Sequence, residues 1–192
     1  ERYDENGNVY DGGFQPAAVL GTEEVAPLSM ATAFATVASG GLRCTPIAID
    51  RIVDSEGNEQ PAPKSKCDQV LDPGVAHAMA YALQQVMSSG TGTSSSGRIE
   101  NWVPMIGKTG TTDDAWATWM SGATSKVATV AGVYNEEGFA NLRETYFDDT
   151  QAAVIRHTLW PAVMNVANAK YGGDAFPDPE SNYLNAPQVP VP

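Results

Sequence analysis

Apolar positions recur at helical spacing in three separate stretches, with short strand-like runs between them. Leu28, Ala31, Phe34, Ala35 and Ala38 fall on one face of a helix opening at Pro27. Proline suits a first helical position because the N–H it lacks has no intrahelical partner there. Gly40-Gly41 ends that helix by supplying left-handed backbone. A second stripe, Val75, Met79, Leu83 and Val86, follows the N-cap Asp72 and Pro73 and stops at Gly90. A third, Ala152, Ile155, Leu159, Val163 and Val166, shares the inner face of a helix predicted from about Thr150 to Lys170, with Pro161 expected to kink or split it.

Between the first two helices, "TPIAIDRIVDSEGNEQPAP" places two β-prone runs around Asp54-Ser55-Glu56-Gly57-Asn58, which predicts a hairpin. Strands are predicted at Val103–Thr111, Trp116–Ser121 and Lys126–Tyr134. Their short connections favour antiparallel pairing, since parallel strands need a long crossover. Residues 1–26 and the stretch "SGTGTSSSG" read as loop, the latter flexible and without regular structure. The tail "PDPESNYLNAPQVPVP" reads as extended and linker-like. The fold class that results is α/β of the α+β kind, an antiparallel sheet covered by helices. It divides into a domain at 1–170 and a Pro-rich tail at 171–192.

A chain of 192 residues can bury a full core. Its net charge of −12 argues against a nucleic-acid partner, because phosphate binding needs a basic face. The acidic pairs Glu23-Glu24, Asp113-Asp114, Glu136-Glu137 and Asp148-Asp149 read as solvated loop charges. His77 and His157 lie off the apolar stripes, and neither has a ligand-type residue three or four positions away. Both are expected on partly exposed helix surface, so neither a metal nor a cofactor is expected. No apolar run reaches the roughly 20 residues of a membrane-spanning helix. The chain begins at Glu1 without an initiator Met and is expected to be a piece of a longer protein. Cys44 and Cys67 flank the predicted hairpin. A disulfide there would close a loop of about 23 residues and stabilise the fold by about 3 kcal/mol on the loop-entropy model; in a cytosolic protein two separate thiols are the simpler reading.

The stretch "MIGKTGTTDDA" carries the candidate chemistry, and it admits two readings. Gly107-Lys108-Thr109 would close a phosphate-binding loop if a Gly stood at the first position of that motif. Trp102 stands there, Pro104 removes an N–H from the cradle, and the preceding segment is a strand. Alternatively, Lys108-Thr109-Gly110 is a strand motif bordering a cleft. The ammonium of Lys108 supplies positive potential for proton transfer around a serine. Gly110 lets an extended ligand lie close to the strand. Thr109 and Thr111 point the same way along it and can hold a carboxylate.

"GKTGTT" resembles the motif of class A penicillin-binding proteins, the bifunctional peptidoglycan synthases. "VLGTEEVAPLSMATAFATVASGGLRCTPIAIDRIVDSEGN", "ALQQVMSSGTGT" and "WMSGATSKVATVAGVYN" resemble successive segments of that family's transpeptidase domain, so the likeness covers roughly residues 17–170 in family order. The tail ending "VPVP" resembles the linker before PASTA modules in actinobacterial members. The resemblance implies the serine-acyltransferase (β-lactamase/transpeptidase-like) fold, here its C-terminal part, and D,D-transpeptidation through a serine acyl-enzyme that β-lactams also acylate. It implies that Lys108 and Thr111 act in catalysis, the Thr111 N–H giving half of an oxyanion hole. Thr109, Gly110 and Thr111 would bind the stem peptide or the β-lactam. It further implies a Cys44–Cys67 disulfide, peptidoglycan stem peptides as substrates, and an extracytoplasmic location with a membrane anchor outside this chain.

The chain departs from the family in having no Ser-x-x-Lys: the positions three before its five lysines hold Pro61, Pro63, Met105, Ala123 and Ala167. It has no Ser-x-Asn either; Tyr183-Leu184-Asn185 imitates a variant of it but lies in the tail. Thr118-Trp119-Met120 stands where the family has Asp-x-Trp and an aromatic. The expected partner is therefore the upstream part of the same domain, and the chain alone is expected to be inactive. A non-catalytic module binding peptidoglycan or protein is the alternative, with a β-lactamase fragment behind it. Trp102, Trp116 and Trp119 are expected to pack in the core or on the sheet, and the serines of "SGTGTSSSG" to be loop residues without a base.

Overall fold

A computed structural model describes residues 16–135 and 138–185. The loop expected at 1–15, the pair Glu136-Glu137 and the last residues of the tail, 186–192, lie outside the described residues. After a short 3₁₀ turn at Pro16–Leu20, helix α1 spans Pro27–Ala38. Strands β1 (Leu42–Cys44), β2 (Ile52–Val53), β3 (Glu59–Gln60) and β4 (Cys67–Gln69) follow, then α2 (Pro73–Ser88) and the single-turn α3 (Thr93–Ser96). The main sheet comes next, β5 (Ile106–Thr111), β6 (Ala117–Ala123) and β7 (Ala128–Tyr134). Strands β8 (Tyr146–Phe147) and β9 (Thr150–Gln151), helix α4 (Arg156–Tyr171) and the short α5 (Ser181–Leu184) complete the chain.

The order β5-β6-β7 is antiparallel throughout. Its pleat sorts side chains between two covering layers. Ile106, Ala123 and Ala128 face α1, where they cluster with Val37, Phe34 and Phe176. Met120 and Ala131 face α4, clustering with Trp160, Met164 and, from α2, Met87. Gly122 permits the close approach of α4: a Cβ there would lie 2.5 Å from the Trp160 ring. The indole N–H of Trp160 donates to the Thr129 carbonyl at 3.2 Å. The sheet is thus clamped between two helices.

The predicted hairpin is β2–β3, turned by Gly57, and it sits inside a wider pair, β1–β4. There Cys44 faces Cys67 with Cα atoms 4.0 Å apart, and the two are joined as a disulfide. Gly41 turns the chain from α1 into β1 at a φ of +95°, where a side chain would also strike the Leu71 carbonyl. Asp72 caps α2, accepting from the N–H groups of Gly74 and Val75 at 2.9 and 3.3 Å. Its carboxylate also accepts from the Tyr183 hydroxyl at 2.6 Å. With Phe176 buried and Asp174 paired to Lys126 at 2.6 Å, the stretch after α4 lies against the body as far as α5.

Several expectations are corrected. The buried residues of α2 are Ala76, Ala80 and Met87, one step round from the predicted stripe, and Val75 and Met79 are exposed. In α4 the buried face carries His157, Trp160, Pro161, Met164 and Asn168, while Leu159, Val163 and Val166 are exposed. Leu28 on α1 is exposed too. Pro161 neither ends nor splits α4, and the break falls earlier, between a 3₁₀ turn at Ala152–Val154 and Arg156. His157 is buried rather than on the surface, and Trp102 is exposed rather than packed. Trp116 meets Phe139 edge-to-face at 5.3 Å, and Trp119 lies over Gly132. The serine-rich loop contains α3, with Ser95 and Ser96 buried. Ser95 Oγ meets His157 of α4 and Ser96 Oγ donates to the Met87 carbonyl at 2.6 Å, which fixes the turn.

Candidate active site

Among the described residues strand β5 is an edge of the main sheet, so one side of its backbone pairs with no other strand there and can meet a ligand. Which groups face that side follows from the ladder. The Thr112 N–H donates to the Ala117 carbonyl at 3.0 Å, and Thr112 and Ala117 continue the β5–β6 register. In an antiparallel pair the bonded positions alternate, so Gly110 and Lys108 turn their backbone groups toward β6. Thr109 and Thr111 turn theirs outward. The N–H of Thr111 and the carbonyl of Thr109 therefore lie on the open edge.

Beyond β5 the chain reverses through Asp114 and Ala115 at φ 57° and 54°, a left-handed pair without glycine. Such a turn costs about 1–2 kcal/mol per residue and persists only where its surroundings impose it. Ala115 is buried and its carbonyl accepts from Leu142 N–H at 2.9 Å, while the Thr112 hydroxyl accepts from Ala117 N–H at 3.0 Å. The end of β5 is thereby held in place.

Side chains alternate across the strand. Lys108 lies on the α1 side, exposed, its Nζ donating to the Thr109 carbonyl at 2.9 Å. Thr109 and Thr111 lie on the α4 side. The Thr109 and Thr91 hydroxyls are 2.8 Å apart, which ties the loop after α2 to the motif. Gly110 is exposed, and a Cβ there would meet the Cβ of Trp119 at 3.5 Å, an ordinary contact. Lys108, Thr109, Gly110 and Thr111 are brought together on one strand, while Cys44 and Cys67 belong to the hairpin region.

The site also contains residues that the sequence did not single out. Arg156, the first residue of α4, donates through Nη1 to the Thr111 hydroxyl at 2.9 Å and to the Gly110 carbonyl. Its Nε donates to His157 Nε2 at 3.1 Å. Since Nε2 accepts, Nδ1 carries the ring proton and donates to Ser95 Oγ at 2.7 Å. Burial, then the charges of Arg156 and Arg98, hold His157 below the ordinary histidine range, in keeping with this neutral tautomer. Burial and the neighbouring Arg143 lower Arg156, which still stays cationic. The one signal in the sequence was an arginine beside a histidine, Arg156-His157, at the start of the last helix; lying off the apolar stripe, His157 was expected on the partly exposed surface.

The chain is similar to proteins of one family. Residues 12–136 match the penicillin binding protein transpeptidase domain. Penicillin-binding protein 1A of Neisseria lactamica is 37% identical over 131 residues, 61% of this chain and 16% of that protein. Penicillin-binding protein 1A of Mycolicibacterium smegmatis is 27% identical over 182 residues, 90% of this chain and 23% of that protein. Among solved structures, the penicillin-binding protein PonA1 from Mycobacterium tuberculosis superposes with a TM-score of 0.77 at 24% identity. That superposition covers 98% of this chain and 50% of the other, and PonA1 has also been solved in complex with penicillin V. The chain thus spans 16 to 23% of the length of these curated relatives.

Proposed function

The chain belongs to the penicillin-binding protein transpeptidase family, and from that premise we propose that it is the C-terminal part of a D,D-transpeptidase domain of a peptidoglycan synthase. The observation that carries this reading is the Lys108-Thr109-Gly110 strand with its Thr109 and Thr111 backbone groups on an open edge. An acyl donor lies along that edge as an added strand. The hydroxyls of Thr109 and Thr111 hold its terminal carboxylate, and the Thr111 N–H polarises the carbonyl under attack. Lys108 supplies positive potential beside the nucleophile. The serine, its Ser-x-x-Lys lysine and the Ser-x-Asn come from an upstream part of the same domain. The serine attacks the penultimate D-alanyl carbonyl, D-alanine leaves, and the amine of a neighbouring stem resolves the acyl-enzyme. A β-lactam acylates the same serine.

Two features support an upstream partner. The outer edge of β7 is unpaired among the described residues, and its sequence, Ala-Thr-Val-Ala-Gly-Val-Tyr, carries none of the charges or prolines that protect free edges. Val75 and Met79 of the α2 stripe and Leu159, Val163 and Val166 of the α4 stripe are also exposed. We further place residues 1–170 in the transpeptidase domain, with 171–192 as its connecting tail. The synthase would work outside the cytoplasmic membrane, with its anchor elsewhere in the parent chain.

Denaturing intact-mass spectrometry after incubation with a penicillin tests the proposal. A longer parent chain, or a second chain co-purifying with this one, is expected to gain the mass of one penicillin. A parent protein that stays unmodified would sink the transpeptidase reading and leave a peptidoglycan- or protein-binding module.

A further inference from the structure

Arg156 is placed against electrostatic preference. It opens α4, where the helix dipole is positive and a cation is disfavoured, and the first turn of α4 contains no acidic residue. It is half-buried, and the charges that reach it and its neighbour His157 are those of other arginines, Arg143 and Arg98. Among the described residues no carboxylate lies in ion-pair range of it. In a chain with 23 acidic residues and 11 basic ones, a half-buried arginine with no carboxylate in ion-pair range among the described residues is a departure that a merely structural role does not require.

Its position is nevertheless fixed. Ser95 holds the His157 ring, His157 accepts from Arg156 Nε, and Nη1 is thereby set on Gly110 and Thr111. A guanidinium has five N–H donors in a rigid fork. Nε and Nη1 make these contacts, and Nη2 carries two further N–H donors of the same planar fork. Both the fork and the positive end of α4 bear on the face of β5 where the Thr109 and Thr111 hydroxyls point.

We propose that Arg156 is a specificity-determining residue of this site, recognising the free carboxylate of the acyl donor alongside Thr109 and Thr111, with His157 and Ser95 as its positioning residues. The inference rests on the transpeptidase reading above. In this arrangement the arginine contributes charge where the threonines contribute direction. Ligands ending in a carboxylate are preferred over the same ligands with that group esterified. His157 serves as a neutral acceptor, not a proton carrier.

The test compares second-order acylation rates of the full-length parent protein by benzylpenicillin and by its methyl ester. Arg156→Gln is expected to slow the acid by about 10- to 100-fold, as the loss of a charge-assisted hydrogen bond does, and the ester by less than about threefold. Arg156→Lys, which keeps the charge without the fork, should recover part of the loss for the acid alone. His157→Gln, which can still accept from Arg156, should keep more of the preference for the acid than His157→Phe. Equal slowing of acid and ester, or no change in either, overturns the proposal while leaving the transpeptidase reading intact. A wild-type protein acylated by neither compound removes the reading and the proposal together. If Arg156→Gln does not fold, the acid-to-ester ratio of Arg156→Lys decides the matter by itself.

Discussion

Ser95 and His157, 62 residues apart in the chain, meet in the interior with Oγ and Nδ1 at 2.7 Å. The contact joins the turn α3 to the first turn of α4 and so fixes Arg156, which donates to the same ring. Both partners are buried, which makes the bond expensive to break. Ser95→Ala leaves the ring N–H without an acceptor in a dry setting, at a cost of about 1–3 kcal/mol. Urea unfolding should show this as a lowered midpoint with an unchanged slope. A midpoint within error of the parent would mean that water replaces the serine.

The same histidine gives the fold a pH dependence. Its folded pKa lies below the ordinary histidine range, chiefly through burial and then through Arg156 and Arg98. Between that lowered folded pKa and the ordinary value of about 6.5 the unfolded chain binds a proton that the folded chain does not, so the stability is present above about pH 6.5 and is lost as pH falls toward the folded pKa. Replacing His157 with Gln removes the titrating ring. The drop in melting temperature between pH 7.5 and 5.5, taken as order-of-magnitude bounds of the window, should be smaller in His157→Gln than in the parent. Parallel curves would show that the ring protonates without penalty.

Much of the site was legible because its signals are local. Lys108-Thr109-Gly110 is a contiguous motif, β5 to β7 are joined by short connections, and Asp72-Pro73 states a helix start in two residues. Arg156, His157 and Ser95 were not legible, because their roles come from contacts across 45 residues or more. The helix faces were misassigned for a different reason. On α4 the core side includes His157 and Asn168, polar residues that periodicity discounts, while Leu159, Val163 and Val166 make the cleaner stripe. Periodicity detects an apolar face without saying which neighbour covers it.

Lys108 makes its one described polar contact with the Thr109 carbonyl of its own strand, and it is exposed. Nothing in the fold depends on it, so its removal should separate function from stability. In the parent protein, Lys108→Met is expected to lower the acylation rate by about 10²–10⁴-fold, the range for a group assisting proton transfer. Its melting temperature should stay close to that of the parent. Retained acylation would place the assisting cation elsewhere.

The exposed stripe of α4 offers the sharpest test of an upstream partner. Leu159 is 45% exposed, Val163 55% and Val166 71%, so polar substitution of any of them disturbs little that this chain buries. In the 192-residue chain alone, Val163→Ser or Val166→Ser should shift stability by no more than about 0.5 kcal/mol, as ordinary surface changes do. If an upstream part of the domain covers the stripe, the same changes in the parent protein lose buried apolar area, at about 0.8 kcal/mol for each methylene equivalent. The informative quantity is the difference between the two contexts, which removes any helix-propensity effect of serine. Matching small losses in both would mean that this face meets solvent in the intact protein, and the partner would then have to dock along the free edge of β7 instead.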